Sequence, residues 1–139
     1  MEPRAILQPT LVLVLLTFLV FVFMYVRRLS HMVQQEIAPG QLQTRRAKEP
    51  LLEPVAAPSD NLMNLFEVPV LYSALVAILI AVERVDQTFV YLAWLYVGLR
   101  VLHSLVHVTY NNVAHRFAAY LLSCIVLAVA WSRFALEIL

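Results

Sequence analysis

The chain has 139 residues, 62% of them hydrophobic and 14% charged, with ten Lys and Arg against nine Asp and Glu and a net charge of +1. Its mean hydropathy of +0.78 is too high for a soluble domain, and no basic patch with interleaved aromatics points to nucleic acid, so that partner class is excluded. Two glycines and long Leu, Val and Ala runs favour helices over a membrane barrel, and one cysteine, Cys124 in an apolar run, rules out an internal disulfide and a cysteine-based metal site.

The first predicted helix covers about 6–28. Its uncharged stretch from Ala5 to Val26 is long enough to cross a bilayer of about 30 Å. Arg27 and Arg28 follow the apolar run rather than precede it, and no Ala-x-Ala site comes after. That order describes a retained membrane helix, not a secretory leader. The next stretch, about 30–59, is polar and punctuated by Pro39, Pro50, Pro54 and Pro58. It predicts an irregular, partly mobile connection, with Ser59 or Asp60 capping the helix that follows.

That second helix runs over about 61–82 and carries Pro69, which removes a backbone donor and predicts a kink. The third covers about 88–110 and is interrupted by Arg100; the fourth covers about 115–137. Short links join the second to the third and the third to the fourth, as in an antiparallel up-down bundle. The fold class expected is therefore an all-α integral membrane four-helix bundle, one domain over the whole chain. Arg27, Arg28, Arg45, Arg46 and Lys48 all lie at or in the first connection. The positive-inside rule puts that connection in the cytosol and both termini outside.

Ionisable residues inside membrane segments are costly and usually face a bundle interior or a wet cavity. Glu67 on the second helix and Arg100 on the third fall where they could pair, about 10 Å and about 15 Å in from the cytosolic ends of their helices. Asn64 and Glu67 are i, i+3 neighbours. Arg100, His103 and His107 form one stripe at i, i+3, i+7, which Tyr96 and Tyr110 extend. With Arg116 opening the fourth helix on the same side, these residues predict a polar recess reached from the cytosol. Arginine suits an anionic or zwitterionic ligand there. Blander readings stand beside it. Glu67 and Arg100 can form a purely structural ion pair; the histidines can hydrogen-bond across helices; the arginines at helix ends can snorkel to headgroups. A zinc pair from His103 and His107 lacks an obvious third ligand, so no metal is expected.

The order Asn64-Leu-Phe-Glu67, then Arg100-Val-Leu-His-Ser-Leu-Val-His107, then Arg116 resembles the MAPEG family, the membrane-associated proteins of eicosanoid and glutathione metabolism. The resemblance implies a homotrimer of four-helix subunits with glutathione bound between subunits on the cytosolic side. It implies that Asn64, Glu67 and Arg100 contact the peptide and that Arg116 holds its sulfur as thiolate; His103 and His107, on the same stripe as Arg100, are expected to line the same site. It also implies an apolar electrophile arriving from the bilayer. Glutathione-active members carry an Arg four residues before the Asn, where this chain has Asp60. His107 stands where they have a tyrosine, and Pro69 follows the Glu by two residues rather than four. These departures are similar to those of the bacterial branch, which implies a bacterial inner membrane. The function expected is glutathione-dependent transfer or peroxide reduction on a lipophilic substrate. The alternatives are a membrane scaffold with a vestigial pocket and a small transporter cycling protons at Glu67, which pairing with Arg100 would oppose.

Overall fold

The computed structural model describes residues 4–139. The helices are α1 (Arg4–Gln34), α2 (Arg45–Leu52), α3 (Ala57–Phe66), α4 (Pro69–Ala81), α5 (Gln87–Val108) and α6 (Val113–Ile138), with short 3-10 turns at Pro39–Leu42 and Glu53–Val55. Four helical stretches are long and apolar enough to cross a membrane: Arg4–Gln34, Ala57–Ala81, Gln87–Val108 and Val113–Ile138. The second of these is α3 and α4 taken together.

The break between α3 and α4 has a local cause. Pro69 has no N–H to give to the carbonyl four residues back, and its ring crowds that carbonyl. Helix α3 stops at Phe66, Glu67 takes φ −87° and ψ −95°, and α4 restarts with proline in its first turn, a position where the missing donor costs nothing. Further on, the Ser73 hydroxyl donates to the Pro69 carbonyl at 3.1 Å.

With only two glycines in the chain, three helices end on non-glycine residues in the left-handed region: Glu36 (φ 53°), Glu83 (φ 55°) and Asn111 (φ 47°). Each ending closes with a bond across five residues, donated by the residue after the left-handed one in the first two and by Asn111 itself in the third. Ile37 N–H donates to Met32, Arg84 N–H to Leu79 and Asn111 N–H to Val106, all at 2.8–2.9 Å, so that the last carbonyls of the helix are satisfied. The following helices begin on side-chain caps. Asp86 accepts from Phe89 N–H at 2.9 Å and Asn112 from His115 N–H at 3.1 Å.

The first connection is not irregular throughout. Thr44 caps α2 by accepting from Ala47 N–H at 3.2 Å, and Pro39, Pro54 and Pro58 each fall in the first turn of a helical piece, where proline is permitted. Neither Ser59 nor Asp60 caps α3. It starts earlier, at Ala57, with Asp60 in its first turn, while the Ser59 hydroxyl accepts from Arg28 at 3.4 Å.

Helix α5 is the centre of the bundle, with ten buried residues against five on the longer α1. Its inner face meets Ile6 and Leu13 of α1, Leu65 of α3, Tyr72, Leu75 and Leu79 of α4, and Leu127 and Phe134 of α6 in one apolar core. The outer faces of α1 and α6 expose large apolar side chains, among them Leu11, Phe18, Leu19, Phe117 and Leu122. In water that surface would be unstable; in a bilayer it meets acyl chains or another protein. One clasp holds the end opposite the first connection. The Arg133 guanidinium binds both oxygens of Asp86, donates to Glu137 at 2.8 Å, and stands 4.5 Å over the Phe89 ring.

Candidate polar site inside the bundle

The stripe on α5 is buried. Tyr96, Arg100, His103, Ser104 and His107 are each no more than 2% exposed. Arg100 donates from one terminal nitrogen to the Asn64 carbonyl at 2.5 Å and lies 5.3 Å from the centre of the Tyr120 ring. That carbonyl is free because α3 ends within the next turn: the last carbonyls of any helix lack intrahelical donors. The kink at Glu67 thus supplies the acceptor that Arg100 uses.

His103 donates from Nδ1 to the Arg116 carbonyl at 2.9 Å, tying α5 to the start of α6. Its ring lies 5.5 Å from that of His107 and 5.7 Å from Tyr120. Ser104 donates to Asn61 Oδ1 at 3.2 Å, and Asn61 is fully buried. Several polar atoms of this cluster have no partner: Arg100 Nε and Nη1, Asn61 Nδ2, His103 Nε2 and both His107 nitrogens. Buried polar groups are nearly always paired, so a concentration of orphans within two turns of helix marks a place built for something more than packing. Arg100 and Asn61 contribute only donors at those atoms, and such a set fits an anionic group.

The other expected site residues are placed differently. Glu67 does not pair with Arg100. The ion pairs among the described residues are those of Arg133, and Glu67 is exposed at the break between α3 and α4. The backbone turn at Glu67 ends the helical register on which the pairing was expected. Asn64 reaches the cluster through its carbonyl rather than through its amide side chain. Arg116 contributes its carbonyl to His103 while its guanidinium turns to Asn111 Oδ1 at 2.7 Å. Asp60 is exposed, and Tyr110 leaves the stripe to meet His115 Nδ1 at 3.0 Å. Among the described residues no group of three or more His, Cys, Asp or Glu side chains comes together.

Three members of the cluster escape a reading by motif. Ser104 lies one turn beyond Arg100 on the same face, and Tyr120 lies one turn beyond Arg116; both spacings were available. Asn61 had no such signal, because its partner is on another helix.

A second feature lies beside α3. Thr10, Leu13, Thr17 and Phe21 of α1 face Leu65, Phe66, Pro69, Val70 and Ser73 across an apolar groove of about 470 Å³. Helix α3 packs closely on α1 whereas α4, beyond the break, leans away from it, so the kink opens the groove as well. Helix α3 therefore borders both the buried polar cluster and an open apolar groove.

Comparison with known proteins gives one result for nearly the whole chain: residues 6–136 match the MAPEG family. No curated protein and no solved structure matches it. With four membrane-length helices, an all-helical bundle and a family match over residues 6–136, the chain is a multi-pass integral membrane protein that belongs to the MAPEG family.

Proposed function

We propose that the protein binds glutathione and presents its thiol to a lipophilic electrophile, as a transferase or peroxidase. The observation that carries the reading is the buried guanidinium of Arg100, with two nitrogens lacking partners beside the orphaned nitrogens of Asn61, His103 and His107. Donors in a water-poor site favour carboxylates, which glutathione carries at both ends. Asn64, Glu67, Arg100, His103 and His107 hold the peptide. When bound, the thiol supplies the nucleophile. Arg116 stabilises negative charge on its sulfur, which raises the thiolate fraction at neutral pH. To do so it exchanges its contact with Asn111 for the sulfur. The apolar groove along α1, α3 and α4 receives the electrophile from the bilayer, and α3, which lines it through Leu65 and Phe66, also carries Asn61 and the Asn64 carbonyl of the polar cluster.

The assembly is a homotrimer in a bacterial inner membrane, with the first connection in the cytosol. Three copies give the exposed Glu67 a protein neighbour instead of lipid. The test is ultraviolet difference absorbance of the purified protein with glutathione. Wild type develops a thiolate signal. Arg116→Ala loses it while keeping helix content and thermal midpoint. A signal of equal size in Arg116→Ala assigns the sulfur to another group and defeats the role given to Arg116.

A second reading gains from one observation. Glu67 is an exposed acid within a membrane-length helix and has no ion pair. A proton-coupled transporter would lose substrate flux in liposomes on Glu67→Gln. Unchanged flux, or none in wild type, removes that reading. A scaffold without chemistry would show neither thiolate nor flux.

A further inference from the structure

We infer that the end of the bundle where α1 leaves the membrane carries a docking surface for the anionic phospholipid headgroups of its own bilayer, built from the end of α1 and from α2. The uncharged stretch of α1 ends at Val26, and Arg27 and Arg28 follow at once. The helix continues to Gln34 before the chain turns back. Two contacts fix the returning segment against α1. His31 donates from Nε2 to the Leu51 carbonyl at 2.9 Å, and Arg28 donates to the Ser59 hydroxyl at 3.4 Å.

These contacts set a depth. His31 lies about 6 Å beyond Arg27 along the helix axis, inside a headgroup layer of roughly 5–8 Å on each side of the hydrocarbon. Leu51 is held at that level, next to the buried Leu52 that ends α2. Arg45, the far end of α2, is then at most about 9 Å from Leu51 along the helix. Arg45, Arg46 and Lys48 are all exposed. They stand within roughly one Debye length of the surface at physiological salt.

Charge complementarity identifies the occupant. Arg27, Arg28, Arg45, Arg46 and Lys48 form no ion pair among the described residues, although Glu49 and Glu53 lie on the same segment. Cations held unpaired at headgroup depth meet lipid phosphates first, and each such cation strengthens attachment to an anionic surface. At the opposite end Arg133 is committed to Asp86 and Glu137, which leaves the exposed Arg4 and Arg84 there against five cations at this end. The expected effect is a first connection fastened to the membrane by anionic lipid.

The test is native mass spectrometry of the protein released from micelles containing equal phosphatidylglycerol and phosphatidylcholine. Wild type retains phosphatidylglycerol in preference, and about 0.5 M salt during loading weakens that preference. The triple variant Arg45→Gln/Arg46→Gln/Lys48→Gln lowers it by about fivefold per cation, with an unchanged circular dichroism spectrum. Arg84→Gln, an exposed cation at the other end, leaves it intact. Equal retention of the two lipids by wild type overturns the inference. So does an undiminished preference in the triple variant, or a loss as large in Arg84→Gln.

Discussion

Arg100 is the residue on which the site turns. It has one hydrogen bond, to the Asn64 carbonyl, and two nitrogens without a partner. A buried charge left largely uncompensated opposes folding, because its desolvation is not repaid by partners. The proposed ligand would supply the partners that the fold does not give it. The absence of an ion pair with Glu67 gives a direct check. In thermal or chemical unfolding, Glu67→Gln and Arg100→Met should add to the double variant within about 0.5 kcal/mol. A coupling well above that would restore the pair. The stripe of Arg100, His103 and His107 on one buried face of α5 was legible from spacing alone. What spacing could not show was the partner of Arg100, because that depends on where a neighbouring helix ends. A side chain that looks reachable at helical register is lost when the backbone turns at Glu67, and a main-chain carbonyl takes its place.

At the scale of elements, Pro69 and the helix caps do most of the positioning. The break at Glu67–Val68 frees the Asn64 carbonyl and leaves α4 packed less closely on α1 than α3 is, so one proline shapes both the polar cluster and the apolar groove. The kink could be read from proline, but its two consequences needed the neighbouring helices. The connection before α3 was harder to read. Prolines there look like breakers, yet in the first turn of a helix they are compatible with it, and Thr44 supplies the start of α2. At the other end, Asp86 both caps α5 and receives Arg133. Partial burial raises its pKa, but the Phe89 N–H and the Arg133 guanidinium outweigh that and hold the carboxyl below its ordinary value of 3.8. A depressed carboxyl contributes stability that is present above the unfolded pKa and is lost as pH falls through the folded one. Wild type should therefore lose thermal stability below about pH 4, while Asp86→Asn should start lower at neutral pH and show a flatter acid limb. Parallel acid limbs for the two proteins would separate Asp86 from this effect.

At the scale of the whole molecule, four apolar helices leave the outer faces of α1 and α6 covered by large hydrophobic side chains. The bilayer accounts for that surface, and the composition announced it. The proposed trimer adds a requirement: purified in detergent, the protein should have three times the 15.8 kDa mass of the chain after correction for bound detergent. A monomer that still binds glutathione would dissociate the ligand site from assembly. The central claim is that the buried donors around Arg100 receive an anionic thiol peptide. Calorimetric titration of glutathione into the detergent-purified protein tests it most directly. Saturable binding to wild type at or below millimolar glutathione is expected, with a loss of at least about tenfold in Arg100→Met, the range for a charged hydrogen bond. No heat of binding at millimolar glutathione, or equal affinity in the folded Arg100→Met variant, would contradict it.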